Sequence, residues 1–105
     1  MRRAMLVLTA AGLLAPSAWA QTGRAERGRV FVQTHCAGCH AIGRVGESPL
    51  PIAPPFRTLH THYPVENLAE AFAEGITTGH PTMPEFRLDP AQINDVIAYL
   101  KTLEQ

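Results

Sequence analysis

Cysteine occurs at only two positions in this chain, and both fall in Cys36-Ala37-Gly38-Cys39-His40. Two thiols so close together make a poor staple, because a disulfide between them closes a tiny loop and removes little chain entropy. Yet the chain needs a staple. Its first twenty residues read as a removable leader: a positive start at Met1-Arg2-Arg3, an apolar stretch from Ala4 to Ala15, a break at Pro16-Ser17, and the small-x-small sequence Ala18-Trp19-Ala20. That is the three-part plan of a secretory signal peptide, and its apolar core is too short to span a bilayer. Residue 21 is Gln rather than Cys, so no lipid attachment is offered, and beyond Arg2-Arg3 the twin-arginine motif is missing, which points to export as an unfolded chain. The expected organisation is a cleaved signal peptide over 1–20 and one domain over 21–105, placed in the periplasm.

A domain of 85 residues sits near the size below which disulfides, a metal or another staple commonly supplement the core. It holds seven basic and nine acidic side chains, for a net charge of −2 with His neutral. Nothing in that balance announces a nucleic-acid binder or a disordered tail. Something other than side chains is expected to fill part of the interior.

Three segments read as helix. The first covers about Arg24 to Thr34, with Val30 and Phe31 as apolar anchors. The second starts at Pro64, a favourable first helical position, and carries Leu68, Ala71, Phe72 and Ile76 on one face, with Gly75 and Gly79 marking its end. The third opens on Asp89-Pro90 with Gln92 at the capping-box position, and its stripe is Ile93, Val96, Ile97, Leu100 and Leu103. These stripes are read as core-packing faces. Two long loops, Ala41 to Tyr63 and Gly79 to Leu88, separate the helices, and no segment shows strand alternation. Loops of that length in so small a domain wrap around something or carry function.

Cys36-Ala37-Gly38-Cys39-His40 is also C-x-x-C-H, the attachment signature of c-type haem. On a turn, two cysteines at this spacing reach the two vinyl groups along one haem edge, and the adjacent His40 sits beneath the iron as proximal ligand. The same spacing serves a thioredoxin-like redox pair, which wants a βαβ context absent here. It also serves a zinc site, for which His35 or His80 could complete the ligands, or a plain disulfide. On the haem reading, Met83 is the candidate sixth ligand. It is the sole Met of residues 21–105 and lies in the loop Gly79-His80-Pro81-Thr82-Met83-Pro84. Met/His ligation is a standard pair that raises the reduction potential. His80 is the main competitor, followed by His62 and His60. His60 and His62 could also hold an extra metal, although solvated loop histidines are the simpler reading. Glu66, Glu70 and Glu74 share a helical spacing and read as a solvated face.

On these residues the chain resembles the class I cytochromes c of the small soluble bacterial kind, most closely at C-A-G-C-H, at Thr82-Met83-Pro84 and at Ile97-Ala98-Tyr99-Leu100-Lys101-Thr102-Leu103. The resemblance implies an all-α fold of three main helices with long loops wrapped around one covalent haem c. It implies that the N-terminal helix crosses the C-terminal one, with Gly28 close to Tyr99. It further implies that the Pro54 carbonyl accepts a hydrogen bond from His40 Nδ1 and that Phe56 packs on the haem. Residues 21–105 contain no Trp to bond a haem propionate, which leaves Arg57 or Tyr63 for that role. The sole lysine is Lys101, so a lysine ring that steers the protein toward an acidic partner is absent.

The function expected is that of a periplasmic electron carrier and not an enzyme, with Cys36 and Cys39 as thioether attachments and His40 and Met83 as axial ligands. Its partners would be redox proteins, such as a dehydrogenase, an oxidase or another cytochrome, approached by a monomer through a small apolar rim that includes Ala37, Gly38, Pro81 and Pro84. Two other readings share the motif: a dedicated haem subunit of a dehydrogenase or peroxidase complex, and a ligand-binding or sensor protein if Met83 is not coordinated.

Overall fold

The computed structural model describes residues 4–5, 18–76 and 82–105. The leader expectation therefore falls mostly outside the described residues, as do Gly79, His80 and Pro81. The described residues form three α-helices, α1 (Ala18–His35), α2 (Leu68–Glu74) and α3 (Pro90–Thr102), with short 3-10 turns at Phe56–Thr61 and Val65–Asn67. Among the described residues there is no strand, only an isolated antiparallel bridge between Ile76 and Phe86.

The three helices differ from expectation in instructive ways. α1 starts six residues earlier than Arg24 and runs through Ala18-Trp19-Ala20. Val30 is not an anchor; it is 51% exposed, whereas Val32 is 1% exposed. The reason is geometric, since Val32 lies four residues after Gly28 and so shares its face, while Val30 is turned well away from it. Pro64 is not the first residue of an α-helix but the extended residue before the Val65–Asn67 turn, and the α-helix proper begins at Leu68. Gly75, at φ 101°, ends α2, a backbone state that glycine adopts without a Cβ penalty. The Ala41 to Tyr63 segment is not wholly loop, because Phe56–Thr61 closes into a 3-10 turn.

α3 forms as its sequence dictates. Asp89 accepts a hydrogen bond from the Gln92 backbone N–H (2.8 Å), and the Gln92 side chain accepts one from the Asp89 N–H (3.1 Å). This reciprocal cap satisfies two orphan donors of the first turn, and Pro90 supplies a preset φ where no N–H is needed. Ile93, Val96, Leu100 and Leu103 are all buried.

α1 and α3 form the main helix pair, with Gly28 at their contact. A Cβ there would overlap the Asp95 carbonyl and lie 2.9 Å from Tyr99 Cβ. The contact is flanked by an Arg27–Asp95 ion pair (3.1 Å), and Tyr99 donates its hydroxyl proton to the Ile42 carbonyl (2.6 Å). Arg44 donates to the Thr102 carbonyl (2.6 Å) at the end of α3, where unpaired helix carbonyls favour a cation. The core beneath this crossing is Val32, Val96, Tyr99, Leu100 and Leu103, joined by Leu59 and Val65 from the 3-10 turns.

Candidate haem site

The last turn of α1 positions the cysteines. Cys36 N and Ala37 N both donate to the Val32 carbonyl (2.8 and 3.0 Å), and Cys39 N and His40 N both donate to the Cys36 carbonyl (3.2 and 3.0 Å). The chain thus leaves the helix through a tight turn. Both thiols and the His40 ring line one cavity of about 290 Å³. Burial pushes the Cys36 thiol up to about 11, so it stays uncharged at neutral pH in an apolar wall.

The following loop is lashed back onto this turn. Leu50 N donates to the Cys39 carbonyl (3.0 Å), Phe56 N to the Ala41 carbonyl (2.9 Å), and Ala41 N to the Ser48 hydroxyl (3.0 Å). That return brings the Pro54 carbonyl to His40, whose Nδ1–H donates to it at 2.8 Å. With Nδ1 as donor, the bond fixes the ring orientation and leaves Nε2 as the nitrogen available to a metal. Phe56 packs on the same ring, with centroids 4.9 Å apart.

The opposite end of the chain closes the cavity. Thr82, Met83 and Pro84 contribute to its lining, as do Phe86 and Leu88. Leu68, Phe72 and Ile76 line it too. None of the residues of α2 is fully buried, because the face that reads as core-packing in the sequence borders this space and not only other side chains. Tyr63 also lines the cavity, and burial raises its hydroxyl's pKa, which keeps it a hydrogen-bond donor. Arg57 is not in the lining, but its Nη1 is buried without a hydrogen-bond partner.

The donor set fits a haem: two thiols on one turn, an imidazole already oriented through its other nitrogen, and a thioether, in a cavity otherwise walled mainly by apolar side chains. By contrast, the groove that holds His60 and His62 also holds Glu66 and Lys101, which pair with each other at 2.5 Å. Among the described residues no three His, Cys, Asp or Glu side chains are placed to hold a bare metal ion between them. Glu66, Glu70 and Glu74 are all exposed, as the solvated-face reading expects, and Glu66, which lies in the 3-10 turn, meets Lys101 of α3 there.

Sequence reasoning did not single out Phe31, His35, Leu68, Phe72 or Phe86 as cavity wall. The signal available for Leu68 and Phe72 was their shared helical face. Phe86 had no local signal, since only the return of the chain brings it there.

Residues 25–104 match the family model for cytochrome c. The chain is 33% identical over 81 residues to a cytochrome c-553-like protein of Synechocystis sp., an alignment that covers 77% of this chain and 70% of that protein. No solved structure matched the chain. The chain belongs to the cytochrome c family, as a small class I monohaem cytochrome with an all-α fold. Its cofactor is one covalently bound haem c, and its role is that of an electron carrier.

Proposed function

We propose that this cytochrome is a periplasmic one-electron shuttle whose haem is attached through Cys36 and Cys39 and ligated axially by His40 and Met83. The observation that supports this reading most strongly is that all four side chains line one cavity, although Met83 lies far along the chain from the other three. The bound haem supplies the one-electron couple. The chain's own residues set its surroundings. Pro54 holds His40 through Nδ1, which would leave Nε2 to hold the iron. Met83, as a thioether ligand, favours the reduced state and so raises the potential. Phe56, Leu59 and Leu68 exclude water from the cavity. His40 and Met83 would both be committed to holding the haem, which would leave no position for a substrate and, with the same ligands in both oxidation states, little rearrangement to oppose transfer. Tyr63 is the cavity-lining donor suited to a propionate, and the unpartnered Nη1 of Arg57 is a second donor for that negative charge.

Export and removal of residues 1–20 remain part of this proposal, as does the monomeric state. Among the described residues no helix is long and apolar enough to cross a membrane. The test is a visible spectrum of the exported protein made with haem-maturation machinery, followed by denaturation. Wild type should keep its colour on the denatured chain, whereas a Cys36→Ala, Cys39→Ala double variant should lose it. A colourless wild type, or a double variant that retains covalent haem, overturns the assignment.

The docking surface is expected to be weakly electrostatic. Lys101 is paired with Glu66 and Glu104, Arg27 with Asp95 and Arg29 with Glu26. Electron transfer to a redox partner should therefore change by less than about threefold between low and physiological ionic strength, where steered pairs change far more. Stopped-flow rates across a salt series check this, and a steep dependence refutes it.

A further inference from the structure

Met83 must be held against the iron by the rest of its segment, and the described hydrogen bonds that anchor that segment run to the end of α2. Ile76 N donates to the Phe86 carbonyl (3.0 Å), Leu88 N to the Phe72 carbonyl (2.9 Å), and Arg87 Nη2 to the Glu74 carbonyl (3.0 Å). None of these reaches α1, which carries the attachment motif. An aromatic path does. Phe31 and His35, one turn apart on α1, stack with centroids 4.6 Å apart, and His35 meets Phe86 edge-on at 6.3 Å. All three rings line the cavity. His35 itself is exposed, so the interior does not need it for packing.

We infer that His35 is a positioning residue, an aromatic clasp that ties the Met83 segment to α1 and so holds the sixth ligand on the iron. The inference rests on the proposed coordination by Met83. Edge-on and offset aromatic contacts are favourable beyond the area they bury. Losing this one loosens the segment and makes Met83 easier to displace, without touching either axial ligand. The ring and not the imidazole's charge is what matters, so His35→Phe should preserve the clasp and His35→Ala should not.

The experiment is an equilibrium titration of the oxidised holoprotein with free imidazole, read by loss of the far-red sulfur-to-iron charge-transfer band. An equilibrium constant reports how firmly Met83 is held and is blind to mere widening of the entrance. His35→Ala should bind imidazole about three- to tenfold more tightly than wild type, an effect of the size of one aromatic pair. His35→Phe should stay within about twofold of wild type. In a Phe86→Ala background, His35→Ala should add nothing further, as expected for two halves of one contact. Unchanged imidazole affinity in His35→Ala, failure of His35→Phe to rescue, or full additivity with Phe86→Ala overturns the clasp while leaving Met83 ligation standing. A wild type that lacks the band overturns Met83 ligation, and the clasp falls with it.

Discussion

In a Met83→Ala variant, the far-red charge-transfer band of the oxidised protein should vanish and the reduced protein should bind carbon monoxide rapidly. Both follow from the cavity's composition. Met83 is the sole methionine among residues 21–105 and shares the cavity with His40. On the proposed ligation, loss of the thioether would leave the iron with one protein ligand and an open position. The reduction potential should fall, by on the order of 100 mV or more, because the thioether favours the reduced state and axial ligands set haem potentials over a range of about 0.8 V. Covalent haem should be retained, since Cys36 and Cys39 are untouched. Spectroscopy, a redox titration and carbon monoxide mixing check the three parts separately. Survival of the band in the variant would remove Met83 from the coordination sphere. Rapid carbon monoxide binding by wild type would favour a ligand-binding protein over a carrier.

Gly28→Ala should destabilise the fold more than almost any other methyl addition. Its Cβ would overlap the backbone carbonyl of Asp95 and crowd Tyr99, and a backbone atom cannot rotate aside as a side chain can. α1 and α3 would have to separate, loosening Val32 against Val96 and Leu100. Overpacking typically costs 1–3 kcal/mol, and here the obstacle is rigid, so a loss of about 3 kcal/mol or more is expected. At roughly 4–8 °C per kcal/mol for a domain of this size, the midpoint should drop by more than about 12 °C. Thermal denaturation followed by far-UV circular dichroism measures this. Gly43→Ala is the control, because a Cβ at Gly43 meets nothing within 4 Å. Equal midpoints for the two variants would show that the crossing is looser than its geometry implies.

The parts of the fold that were legible in the sequence are those encoded within a few residues. The Asp89-Pro90-Gln92 start of α3 is one, since its cap is made of side chain and backbone three positions apart. The five-residue haem motif is another, because its spacing and its chemistry are the same fact. The bond from His40 to Pro54 follows from resemblance and not from pattern, as the two lie fourteen positions apart across a loop. Val30 reads as an anchor because an apolar residue in a helix gives no local sign of which face meets a neighbour; Gly28 and the distant Asp95 decide that. The 3-10 turns were missed because single turns carry no periodicity. The contact of His35 with Phe86 joins positions 51 residues apart and leaves no trace in either local sequence.

The close crossing at Gly28 also bears on the order of assembly. One of its halves is α1 (Ala18–His35), which leads into the cysteines, and the other is α3 (Pro90–Thr102), which follows them far along the chain. On the proposed export route, N-terminus first, the thiols would emerge well before α3, the helix that packs against the one leading into them. Until α3 arrives the crossing at Gly28 has no second half, so a partly emerged chain would present Cys36 and Cys39 beside an unpacked α1.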